Sequence, residues 1–340
     1  MAGDVTNAER LIASARAAEE KGESLRALAF YDDAIEDIGQ QSSHPSLANV
    51  LRWKGTLLRE MGSTDEASRH YLRSLAVAER AGLTDSKAHA LNCLAIIAQR
   101  RGDLREAERL YENASTFATA CDDHRLLGMI HQNRGVLATM RGDFADASEV
   151  YEKSLASFEL AGDDQAASWV LNNLGMLHTK NGSWEVARRF LDRGLAIARN
   201  RNDSLVEDVI VLNLAELWVR ADQLERAEEL CVRSLANAKR RGDRLTTAEA
   251  LTCRARIERK RGEYDKGIAT LRIANFEADG SGDRMLFAEI QRELGEIARS
   301  RGDASAARQA LVHAAAEFRI VGALQDAALV ESYLADMGAA

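Results

Sequence analysis

One spacing constrains this chain more than anything else in it: features recur every forty residues. In rows of forty starting at Lys21, the second position reads Gly22, Gly62, Gly102, Gly142, Gly182, Asp222, Gly262 and Gly302. The seventh reads Ala27, Ala67, Ala107, Ala147, Ala187, Ala227, Gly267 and Ala307. The eleventh reads Tyr31, Tyr71, Tyr111, Tyr151, Leu191, Cys231, Leu271 and Leu311. A further small-residue column holds Gly55, Ala95, Gly135, Gly175, Ala215, Ala255, Gly295 and Ala335. Four columns in one register, with no insertion or deletion, mark a repeat array whose core lies between neighbouring units.

The content of one row follows from helix physics. Asp103 can cap a helix, with Glu106 three residues on. Leu104, Ala107, Leu110, Tyr111 and Ala114 then fall at helical spacing. A break comes at Cys121-Asp122-Asp123. A second helix carries Leu126, Leu127, Ile130, Gly135 and Leu137, and closes at Gly142, a residue free to turn left-handed. Each row therefore predicts two helices of about 16 residues, roughly 24 Å long. Val5 to Glu20 aligns with the second half of a row, so the natural unit starts there. The expected helix pairs span about 5–40, 45–80, 85–120, 125–160, 165–200, 205–240, 245–280 and 285–320. A capping helix at 323–337 carries the polar Gln325, Glu331 and Asp336. The loop at 279–283 sits at an ordinary turn, so residues 1–340 are expected to form one solenoid.

Composition supports the class. One proline, Pro45, stands among 340 residues, and Ala, Leu, Arg and Glu, all strong helix formers, dominate. The formal charge of −8 lacks the basic excess that displaces counterions from phosphate, so no nucleic-acid partner is expected. No run of 18 apolar residues or basic-then-apolar leader is present, so neither membrane span nor signal peptide is expected. Cys93, Cys121, Cys231 and Cys253 form no metal-type spacing and read as buried thiols in a reducing, cytoplasmic setting. No phosphate-loop, nucleophile-elbow or zinc-protease motif occurs, and no two histidines pair at i, i+4. Neither an enzyme nor a cofactor or metal site is expected.

Leu171-Asn172-Asn173-Leu174-Gly175, followed by Gly182, Ala187, Leu191 and Leu195, resembles the tetratricopeptide signature. The repeat is longer than the common 34 residues and lacks the usual proline between units. Long repeats of this kind resemble those of kinesin light chains, GoLoco-binding spindle adaptors and bacterial peptide-sensing regulators. The resemblance implies an all-α, right-handed superhelical solenoid of about eight helix pairs plus the cap. The first helix of each pair would form its concave wall.

Candidate partner-binding residues lie along that wall. Asn92, Gln132 and Asn172 share one column, and Asn133, Asn173 and Asn213 the next. An amide both donates and accepts, which suits the main chain of an extended peptide. In the resembled repeats, asparagines at this place contact ligand backbone; the competing reading is that they bond neighbouring helices. Trp169, Met129, Met176, Ile96 and Val136 share the face as an apolar stripe, while Trp184 and Trp218 read as core. Arg100, Lys180 and Arg220 share a column, and Arg259 and Arg299 the one before. Cations there would suit an acidic partner, although a helix C-terminus favours them on dipole grounds alone. Glu216, Glu249, Glu289, Glu293 and Glu296 fall on the same stripe, so the C-terminal groove is mixed and not uniformly basic. Lys54, Arg134 and Arg254 replace the leucine of the Leu-Gly pair, so each must either reach solvent or find a carboxylate.

The leading functional reading is an adaptor or scaffold that binds a peptide segment of a partner protein in the groove. A second is a peptide- or effector-sensing module acting on a separate signalling or transcription protein. A third is self-association through the convex face or the solenoid ends.

Overall fold

The structure, a computed structural model, describes residues 6–39, 46–281 and 283–337. The expected pair edges at 5, 40 and 45 lie outside the described residues, as do Pro45 and Gly282. Seventeen α-helices and no strand occur among the described residues. They are α1 (Asn7–Glu20), α2 (Ser24–Gly39), α3 (Leu47–Glu60), α4 (Thr64–Ala81), α5 (Thr84–Arg100) and α6 (Leu104–Ala120). Next come α7 (His124–Arg141), α8 (Phe144–Leu160), α9 (Asp164–Lys180), α10 (Trp184–Asn200), α11 (Ser204–Arg220) and α12 (Leu224–Arg241). The chain ends with α13 (Arg244–Lys260), α14 (Tyr264–Ala278), α15 (Arg284–Ser300), α16 (Ala304–Ile320) and α17 (Leu324–Asp336). Among the described residues no helix is long and apolar enough to cross a membrane.

The chain divides into two compact units, Met1–Leu137 and Ala138–Ala340, with the boundary inside α7. In each, helices stack in sequence order as solenoid segments. In the first unit consecutive helices pack from α1 to α6, and the odd-numbered α3 and α5 also touch. In the second they pack from α8 to α17, and α9–α11, α11–α13 and α13–α15 make the same odd–odd contacts.

The columns pack as the period requires. Tyr71 lies against Gly55, Leu191 against Gly175 and Leu311 against Gly295, each so close that a Cβ on the glycine would collide. Tyr71 and Tyr111 are fully buried. Their hydroxyls donate to Thr56 Oγ1 at 3.2 Å and Gln99 Oε1 at 2.9 Å, so neither polar end is left unsatisfied. Burying such a ring is worth roughly 1.5–3 kcal/mol, and each row repeats that contribution with a Tyr, Leu or Cys.

The turns are left-handed at both ends of the helices. Asp222 adopts φ 59°, so the departure from glycine leaves the turn conformation unchanged. A second column, offset by half a period, does the same: Gly82, Asp122, Gly162, Asn202, Gly242 and Gly322 all have positive φ. Glycine, asparagine and aspartate are the residues that tolerate this region. After four of these turns an aspartate caps the next helix: Asp123, Asp163, Asp203 and Asp243 accept the N–H of Leu126, Ala166, Val206 and Thr246, whereas Leu83 and Ala323 stand at that place after Gly82 and Gly322. Each cap contributes about 1 kcal/mol.

The charged replacements of the leucine column all find carboxylates. Lys54 pairs with Asp32, Arg134 with Glu108 at 2.7 Å, and Arg254 with Glu258 at 3.0 Å. Of the cysteines, Cys231 and Cys253 are buried and Cys93 half-buried, but Cys121 is exposed. It stands at the C-cap of α6, where the chain turns through solvent.

Candidate binding cavity

The odd-numbered helices carry the candidate residues, and the two units treat them differently. In the first unit Asn92 is buried, and its Oδ1 accepts from Asn133 Nδ2 at 3.2 Å. This bond ties α5 to α7. Gln132 is half-buried and Arg100 exposed. His89 is held near pKa 4 by burial and by the Arg52 guanidinium, so it is neutral at physiological pH.

The second unit repeats the amide pair. Asn172 is buried, and its Oδ1 accepts from Asn213 Nδ2 at 2.7 Å, tying α9 to α11. The asparagine ladder is thus two interhelical bonds, with Asn133 and Asn213 as the outer members. Asn173 stays half-buried beside them. The structure therefore gives Asn92 and Asn172 a cohesive task, because a buried amide must be satisfied from within.

A cavity of about 310 Å³ opens in the second unit, lined by α9, α11, α13, α15 and the first turn of α17. Four candidate residues line it: Met176, Lys180, Asn213 and Arg220. Trp169 is half-buried and packs on the core of α10 to α13 instead. Val209, Leu212 and Leu286 supply an apolar floor, joined by Met285. The volume matches the lower range of ligand sites, enough for one or two side chains.

The cavity wall is an ion network. Arg256 Nη1 donates to Glu216 at 2.7 Å, Nη2 to Glu289 at 2.7 Å and Nε to Glu293 at 2.9 Å. Arg220 also bonds Glu216, at 2.7 Å. Arg259 reaches Glu293 and Glu296, both at 3.0 Å. Burial alone would raise the Glu216 carboxyl, but Arg256 and Arg220 outweigh it and hold it at about 2. Glu293 is lowered too: burial opposes ionisation and the charges of Arg256, Arg259 and Arg292 overcome it. Glu296 goes the other way, raised by burial and by the Glu293 charge.

A second cluster closes the circuit. Asp326, on α17, takes Lys180 of α9 at 3.2 Å and Arg292 of α15 at 3.3 Å. Gln325 packs against Gly142 in the same region. The first turn of the capping helix is therefore engaged with the start of its own unit, whereas Glu331 pairs locally with Arg319 at 2.6 Å. Arg299 lies 4.5 Å from the centre of the Tyr333 ring, a cation–π contact.

Lys180, Arg220 and Arg259, read from the sequence as free cations for an acidic partner, all have carboxylates of their own. Glu216, Glu249 and Glu289, which the sequence places on the same stripe, line the cavity as well, and Asp326 is the carboxylate of the wall that the sequence reading missed. Glu216 and Arg256 occupy the same column one row apart. No group of His, Cys, Asp and Glu suited to a metal occurs among the described residues.

Residues 86–160 match one tetratricopeptide repeat family model and residues 168–201 match another. No curated protein sequence matches the chain. Among solved structures, BtubC (BKLC) from P. vanneervenii is 24% identical with TM-score 0.51, covering 67% of this chain and 90% of its own. Apo RapI is 10% identical with TM-score 0.68, covering 97% and 99%. The Rap conjugation gene regulator of plasmid pLS20, solved in complex with the Phr* peptide, is 15% identical with TM-score 0.57, covering 80% and 74%. At these identities the likeness concerns the fold.

Proposed function

We propose that this chain, which is built of tetratricopeptide repeats, is a protein-interaction scaffold whose second unit binds a peptide segment of a partner in the α9–α17 cavity. The observation that carries this reading is the cavity itself. Five helices converge on a space whose floor is apolar and whose rim is polar, with Met176 and Val209 left unfilled by the fold. Asn213 gives one amide hydrogen to Asn172 and retains its Oδ1 for a ligand N–H. The Rap regulator solved with a peptide lends the same direction to the reading.

The test is a peptide-display selection on the whole chain, followed by affinity measurement on Met176→Ala/Val209→Ala. Removing these side chains deletes about four methylene equivalents from the contact. At ~0.8 kcal/mol per fully buried group, and with half of that area covered by ligand, binding falls roughly tenfold or more. Unchanged affinity with an unchanged fold refutes the cavity as the site.

A second reading, a sensor that changes shape, is favoured by one feature. Asp326 links α17 to both α9 and α15 across the cavity rim. A selected peptide that alters the small-angle scattering of wild type, and not of Asp326→Ala, supports the sensor; identical profiles with and without peptide support a static scaffold.

A further inference from the structure

The cavity's charges are matched by opposite charge except at two carboxylates, Asp283, which caps α15, and Glu249. Five carboxylates and four cations line it. Every one of those cations is engaged: Lys180 and Arg292 by Asp326, Arg220 by Glu216, and Arg256 by three carboxylates at once. Among the described residues Glu249 has no side-chain hydrogen-bond or ion-pair partner. It stands on α13, one row after Val209 and one before Glu289, so the stripe facing the cavity changes from apolar on α11 to acidic on α13 and α15.

Among the described residues no free cation neutralises Glu249. Arg256, on the same helix, is held by Glu216, Glu289 and Glu293. Asp283, the N-cap of α15, spends one oxygen on the Leu286 N–H and adds negative charge. Burial and then the charges of Asp283, Glu289 and Asp243 push the Glu249 carboxyl up to about 7. A half-buried carboxylate that gains only like-charged neighbours is costly to the fold, and a positive ligand group relieves that cost.

We propose that the α13–α15 side of this cavity is a subsite for one cationic group of the bound peptide, an ammonium or guanidinium, with Glu249 as its counter-ion. The assignment rests on the peptide-binding reading above and adds the chemistry of its ligand. It reverses the polarity expected from the basic column. The adjoining Met176, Val209 and Leu212 take the apolar neighbour or stem of the cationic residue, as long basic side chains lay their methylenes along apolar surface.

The same charge arrangement sets a pH dependence. A cation at Glu249 favours its ionised form, so binding between about pH 5 and 7 expels a proton, and affinity rises with pH through that window and levels above it. The charged groups around Glu249 are Asp243 and Arg256 on the α13 segment, Asp283, Glu289 and Arg292 on that of α15, and Glu216 and Arg220 on α11. Glu216, held at about 2, is already ionised throughout that window.

The test uses fluorescein-labelled hexapeptide mixtures and the whole chain, read by fluorescence polarisation. In each mixture one position is fixed as Arg, Lys, Leu or Glu and the others are randomised, with the N-terminus either acetylated or free. The expected result is at least tenfold tighter binding of a fixed-Arg or fixed-Lys mixture than of its Leu counterpart. A preference confined to free N-termini assigns the group as the terminal ammonium; one that survives acetylation assigns it to a side chain. Glu249→Gln, nearly isosteric, is expected to reduce the preference below threefold while leaving the Leu mixtures unchanged, and Glu249→Asp to retain part of it. Mixtures that bind without cationic preference, or a preference that survives in Glu249→Gln, overturn the subsite alone. Failure of every mixture to bind overturns the subsite and the peptide-binding reading together.

Discussion

Arg256→Met removes the centre of the ion network while keeping much of the side chain's volume. Wild-type Arg256 is buried and makes three charge-assisted bonds, at 2.7, 2.7 and 2.9 Å. After the substitution Glu289 loses its cation, Glu216 keeps Arg220 and Glu293 keeps Arg259. Deleting one member of a buried pair costs about 3–5 kcal/mol, because the other is left as an uncompensated charge. The surviving second partners put the expected loss near the lower end, about 3 kcal/mol. The assay is urea unfolding followed by tryptophan emission in a Trp53→Phe background, where the remaining Trp169, Trp184 and Trp218 all lie in the second unit. With a slope of about 2 kcal/mol per molar urea, the midpoint should fall by roughly 1.5 M. The sign with pH is fixed by Glu216. Its folded value of about 2 lies below its unfolded one, so the stability it lends is complete above about pH 4.5 and fades as pH falls toward 2. The deficit of the variant should therefore shrink by about half or more between pH 7 and pH 3. A midpoint shift under about 0.3 M, or a deficit that does not change with pH, refutes the account of the network as mutually compensating charge.

Two further outcomes follow from the columns. Asn172→Ala leaves Asn213 without its interhelical acceptor and should cost about 1–3 kcal/mol of unfolding free energy, whereas Asn173→Ala should cost under about 0.5 kcal/mol; equal losses in denaturation would contradict the assignment of Asn172 to cohesion. Gly175→Ala places a Cβ 2.4 Å from Leu191 Cγ and should destabilise by about 1–2 kcal/mol despite better helix propensity. Adding Leu191→Cys recreates the Ala215–Cys231 pairing found one row later, so the double variant should regain most of the lost melting temperature.

How far the sequence reaches depends on the kind of neighbour involved. Contacts inside a row were legible, because helix geometry alone sets them: the Gly102 turn, the Asp103 cap and the Tyr111 column all follow from spacings under twenty residues. Contacts between successive rows were legible in principle. Asn133 meets Asn92 and Asn213 meets Asn172, both at a separation of 41 residues, and Arg256 meets Glu216 at 40. Once the period is forty, residues in matching or adjacent columns are lateral neighbours, so each amide or cation should have been tested against the row beside it before being assigned to a ligand. That rule would have left Glu249 standing between Val209 and Glu289 with no opposite charge, whereas Arg259 meets Glu293 at a separation of 34 residues, outside it. The third kind of contact obeys no such rule. Lys180 and Asp326 are 146 residues apart and meet only because small rotations, accumulated from α9 to α17, bring α17 against α9. Each rotation is set by the fit of small residues such as Gly175 and Gly295 against the facing leucines. An error of a fraction of an ångström per row would compound until the pair no longer met. Closure of the cavity is therefore a property of summed packing, and only the packed structure holds it.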